Sequence, residues 1–133
     1  MRVVHRADLA PVGRPDGRTV LSLLDLPVDV PVDRAGVLYV EHPADFTEGR
    51  HYHRHLYEVF YFLDDADYWV AGELVRLAAG DLLVLEPNDA HGALPVPHPV
   101  RLLVFHLPKV PGDKVEVPTG PALAASPEQE TPR

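Results

Sequence analysis

Apolar residues in this chain come in short runs cut by turn residues. Residues 57–63 (YEVFYFL) are aromatic and β-branched, the composition of a strand. An Asp-Asp-Ala turn leads to DYWV (67–70), and Ala-Gly-Glu leads on to LVRL (74–77). AAGD, with Gly80 suited to a positive φ, then introduces LLVLE (82–86). That run has no polar alternation and reads as a strand buried on both faces. GVLYVEH (36–42) and VRLLVFHL (100–107) are further strands, whereas 87–99 (PNDAHGALPVPHP) reads as a turn-rich connection. In residues 1–33, TVLSLLDL and VDVPVD are broken by prolines and predict edge strands and loops. The pattern predicts one domain over 1–110. A Pro-rich, partly disordered tail follows over 111–133, in which KVEV can pair with a sheet edge.

Composition sharpens this picture. The 15 prolines and 9 glycines exclude long helices and favour an all-β sandwich or barrel. A net charge of -8, with the 12 Lys and Arg scattered, argues against a nucleic-acid surface. The absence of cysteine removes disulfides and thiolate ligands, so any metal must be held by His, Asp or Glu. No apolar run is long enough to span a membrane, and the polar first residues do not read as a secretory signal. A cytoplasmic protein without membrane contact is the expectation.

The candidate chemistry lies in residues 49–63, GRHYHRHLYEVFYFL. His51, His53 and His55 alternate, so a regular strand would put all three on one face. Glu58 heads the apolar run that follows. An unpaired charge buried there would be costly, and ligation of a cation removes that cost. One more ligand is expected from elsewhere, and His91 in EPNDAHG is the candidate, carried by the turn after the buried strand. Imidazole and carboxylate suit Fe, Mn, Ni, Zn or Cu.

These residues resemble the cupin family. Its first motif is matched by Gly49, His51, His53, Glu58 and Gly72, and its second by Gly80, Pro87 and His91. Asp89 stands where the second motif has glycine. The resemblance covers 36–107 and implies a double-stranded β-helix, the cupin or jelly-roll barrel. It implies one divalent transition metal (Fe, Mn, Ni or Zn) held by His51, His53, Glu58 and His91. HYHRHLYEVFYFL and GDLLVLEPNDAH are also similar to the sugar-sensing cupin domain of AraC-type regulators, here expected to stand alone without a DNA-reading region.

If Glu58 points inward, so do Phe60 and Phe62, and they would line a pocket beneath the metal. His55 is a further candidate for ligand contact. His106 shares parity with Val100, Leu102 and Val104 and would approach the pocket as a general base. Tyr61 and Leu63 would face outward, offering a surface for a homodimer. The expected function is metal-dependent chemistry on a small polar organic molecule, of dioxygenase, isomerase or decarboxylase type. The alternative is non-catalytic sensing of a small sugar-like ligand.

Overall fold

Among residues 1–118, which the computed structural model describes, the short apolar runs become twelve strands and one 3-10 turn, Arg6–Asp8. The strands are β1 Arg2–Val4, β2 Val12–Gly13, β3 Thr19–Val20, β4 Gly36–His42, β5 His51–His53 and β6 Tyr57–Phe62. They continue with β7 Ala66–Val70, β8 Glu73–Leu77, β9 Leu82–Leu85, β10 His91–Leu94, β11 Val100–Leu107 and β12 Lys114–Glu116. Two five-stranded antiparallel sheets result, in the orders β1-β9-β6-β11-β4 and β12-β5-β10-β7-β8, and β2 pairs with β3 apart from them. This is the expected all-β double-stranded β-helix. No helix among the described residues is long and apolar enough to cross a membrane.

The core lies between the sheets because alternate residues of each point inward. Phe60, Phe62, Leu83, Leu85, Leu102 and Val104 from the first sheet meet Tyr68, Val70, Val75, Leu77 and Ala93 from the second. Phe60, Phe62 and Tyr68 pack edge-on or tilted, at ring-centroid distances of 5.4–6.0 Å.

β9 is buried on both faces, as its unbroken apolar run predicts. Leu83 and Leu85 face the core, while Leu82 and Val84 join Val4 and Val59 in a second cluster on the outer face. Leu9, Leu23, Leu24 and Leu26 cover that cluster. Most of TVLSLLDL is therefore a strap over the first sheet, with only Thr19–Val20 paired as a strand, and VDVPVD forms none. Tyr61 faces outward as expected and is half-buried against that outer cluster. Among the described residues, Val37, Leu38 and Tyr39 on edge strand β4 are exposed, as are Met1, Val12 and Val32 elsewhere.

β10 falls inside the stretch that read as a connection. KVEV pairs with an edge as expected, with β12 on β5, so the second sheet extends into the segment assigned to the tail. Residues 119–133, the rest of that tail, lie outside the described residues.

The N-terminal strap is pinned at one buried carboxylate. Asp81 accepts hydrogen bonds from Arg6 N (2.9 Å) and Ala78 N (2.8 Å), and its Oδ2 lies 2.9 Å from His5 Nδ1. Gly80 beside it has φ +91°, and a Cβ there would meet Arg6 Cδ at 2.8 Å. The glycine thus both turns the chain and admits the strap. Burial pushes the Asp81 carboxyl up, but the bonds from Ala78, His5 and Arg6 outweigh it and hold it below its usual value.

Two outcomes are expected. Asp81→Ala removes the acceptor of two partly buried amides and lowers the unfolding free energy by about 1–2 kcal/mol in urea titrations at pH 7. Because the folded carboxyl is depressed, its contribution is complete above the unfolded pKa of about 3.9 and fades as pH falls through the lower folded value. Asp81→Asn and the wild type should therefore differ at pH 7 and converge toward pH 2. A difference that stays constant with pH would contradict this.

Candidate metal centre

Four strands bring the candidate ligands together at one end of the barrel. β5 carries His51 and His53, β6 opens with Glu58 as its second residue, β10 starts at His91, and β11 ends beside His106. His51 and His91 are direct partners across β5 and β10, and Glu58 and His106 across β6 and β11. Asn88 N bonds to His53 O at 2.7 Å, which ties the turn before His91 to the strand that holds His53. That turn takes its left-handed residue at Asn88 (φ 73°). An asparagine tolerates this region, so no glycine is needed.

One ligand atom from each of His51, His53, Glu58 and His91 lies within 4.8 Å of every other. Ligand atoms about 2.1 Å from one ion stand at most about 4.2 Å apart, so closing on an ion takes well under about 1 Å of movement. The donor chemistry fits a cation. His91 Nδ1 lies 2.8 Å from Asp89 O, and His51 Nδ1 lies 3.0 Å from Gly49 O. A carbonyl only accepts, so each Nδ1 carries a proton, and in the neutral tautomer the lone pair of each ring is at Nε2. His91 Nε2 lies 3.0 Å from Glu58 Oε1. Both atoms are buried without a hydrogen-bond partner, as is His53 Nδ1. An imidazole nitrogen and a carboxylate oxygen this close need something positive between them, a proton or a metal ion.

The electrostatics agree. Burial lowers the His51 pKa, more than the Gly49 carbonyl raises it, so the ring stays neutral. Burial pushes the Glu58 carboxyl up, but His106, His53 and His91 around it prevail and hold it well below the usual carboxylate range. Neutral imidazoles with one carboxylate leave a single negative charge, which suits a divalent ion.

The remaining candidates divide. His106 reaches the site, its Nε2 2.7 Å from Glu58 Oε2. Phe60 lies under the cluster, its ring 6.0 Å from that of His91. Phe62 does not line the site. It has no exposed surface and belongs to the core one layer deeper. His55 does not join the cluster either. A bend at Arg54–His55 ends the strand, and the largely exposed His55 ring turns to Asp113, its Nδ1 2.7 Å from Oδ1. Asp113 also accepts from the His55 and Leu56 amides, so this contact closes the loop before β6 onto the lead-in to β12.

Sequence reasoning missed two supports. Gly92 lets the 48–50 backbone lie against β10, since a Cβ there would stand 2.9 Å from Glu48 O. That approach brings Gly49 O to His51, and the His-Gly pair at 91–92 was its only trace. The Asp89 carbonyl that orients His91 left none, because any residue carries a carbonyl.

No family model matches the chain, and no curated protein matches it in sequence. Solved structures do match. The dTDP sugar isomerase of Desulfovibrio desulfuricans aligns over 98% of this chain and 92% of its own, with TM-score 0.65 and 14% identity. An uncharacterised Klebsiella pneumoniae protein with a double-stranded β-helix domain aligns over 68% of this chain and 75% of its own, with TM-score 0.58 and 22% identity. DMSP lyase DddQ of Ruegeria pomeroyi has the same TM-score and identity over 64% of this chain. The match spans only 44% of that lyase. At such identities the likeness is one of fold. With the observed sheet order, these matches show that this chain has the double-stranded β-helix fold.

Proposed function

We propose that the barrel holds one divalent transition metal on His51, His53, Glu58 and His91 and uses it to act on a small polar organic molecule. The observation that carries this is the gathering of one donor atom from each of these four residues within 4.8 Å of one another, with His91 Nε2 3.0 Å from the ionised Glu58. Proteins of this fold include a lyase, a sugar isomerase and a salicylate dioxygenase, which supports a reaction of lyase, isomerase or dioxygenase type.

When bound, the metal supplies a Lewis acid or an oxygen-activating centre. The chain's own residues do the rest. The Gly49 and Asp89 carbonyls fix the His51 and His91 rings, and Phe60 keeps water from beneath them. The open side is where His53 and His106 keep 11% and 16% of their side-chain surface, against 1% for His91. A ligand therefore approaches over His53 and His106. Four protein ligands leave one or two positions on a five- or six-coordinate ion for an oxygen of that ligand.

Elemental analysis of untagged protein tests the reading. About one equivalent of Fe, Mn, Ni or Zn is expected, and it should be lost in His51→Ala/His53→Ala. No metal in the wild type, even after reconstitution, sinks it. Added metal at about 100 times its Kd should stabilise the wild type by about 2.7 kcal/mol and leave the double variant unmoved. Turnover separates the two functional readings. An enzyme loses product formation in folded His51→Ala, whereas a sensor of a sugar-like ligand shows ligand-dependent stabilisation and no product.

A further inference from the structure

Glu58 is held on its two sides by different groups. Oε1 faces the Nε2 atoms of His91 and His53, at 3.0 and 3.4 Å. Oε2 accepts a hydrogen bond from His106 Nε2 at 2.7 Å. Glu58 and His106 are 48 residues apart and directly opposite in register, so strand pairing sets their distance. His106 itself sits between Glu58 on β6 and Gly36 on β4, its two register partners.

A carboxylate can give a metal one oxygen or both. We propose that His106 is a positioning residue that restricts Glu58 to one ligating oxygen and so keeps a coordination position open for an oxygen-bearing ligand. This rests on the metal reading above. The reason is geometric. Swinging the carboxylate so that both oxygens meet the three imidazoles breaks a short, charge-assisted and largely buried bond. With that bond intact, three nitrogens and one oxygen bind, and the site stays incomplete. A two-oxygen glutamate would take a position that a substrate or sensed ligand needs. The motif that supplies the four ligands does not contain His106. It comes from the last long strand, hydrogen-bonds to Glu58 and lies with its ring 5.8 Å from that of His53.

Cobalt(II) alone is the probe, added to the metal-free full-length chain. Its visible absorption weakens as coordination number rises, and its titration gives Kd. His106→Leu is expected to raise Kd about 10- to 100-fold. Its absorption should also weaken as the second oxygen of Glu58 joins. His106→Gln keeps an N–H donor and should return toward the wild type in both readouts. Urea unfolding of the metal-free proteins shows that each variant is folded. If His106→Leu does not fold, His106→Ala with added free imidazole replaces it, and restoration of the wild-type spectrum by imidazole supports the proposal. A folded variant without the donor that binds cobalt with wild-type affinity and spectrum overturns it and leaves the metal reading standing. A wild-type chain that binds no cobalt overturns both.

Discussion

An ionised carboxylate inside a β-barrel is an expensive object, and much of this molecule is arranged around the one at Glu58. Its two oxygens are met from β5, β10 and β11 by His53, His91 and His106. The His106 contact is a conventional donor-acceptor bond. The His91 contact, nitrogen against oxygen, is favourable when a proton or a metal ion sits between the two atoms. The charge that burial opposes is thus the charge that suits the cluster to a cation.

That arrangement depends on rigidity elsewhere. The His51 and His91 rings are aimed by backbone carbonyls, and those carbonyls are placed by the Asn88 turn and by the close approach of the 48–50 segment to Gly92. On the far face of the first sheet the N-terminal strap covers Leu82 and Val84 and is locked at Asp81. β6 and β9, which lie side by side in that sheet, are thereby packed from both sides. Close packing on both faces limits the movement available to Glu58.

The barrel does not select a reaction, since structures of this fold include an isomerase, a lyase and a dioxygenase. The local features of this chain are a histidine on the second oxygen of the glutamate and the Phe60 ring beside that of His91.

The sequence by itself determined the strands with strong composition, at 36–42, 57–63, 67–70, 74–77, 82–86 and 100–107, each within one residue of its observed bounds. It also determined the four residues that gather, because His-x-His at a strand's start and a glutamate heading an apolar run are local patterns. Parity along β11 placed His106 on the inward face, but only pairing with β6 put it opposite Glu58. His55 shared parity with His51 and His53, yet a bend and Asp113, 58 residues away, turned it aside. Phe62 shared parity with Phe60, and only the thickness of the core made one a floor and the other a filler. β10 was unreadable because Gly92 and Ala93 have little strand preference and prolines flank them; its pairing with β7 supplies what propensity does not. Periodicity specifies which side of a strand a residue faces, whereas what waits on that side is decided by segments far away in the chain, through packing that no local pattern encodes.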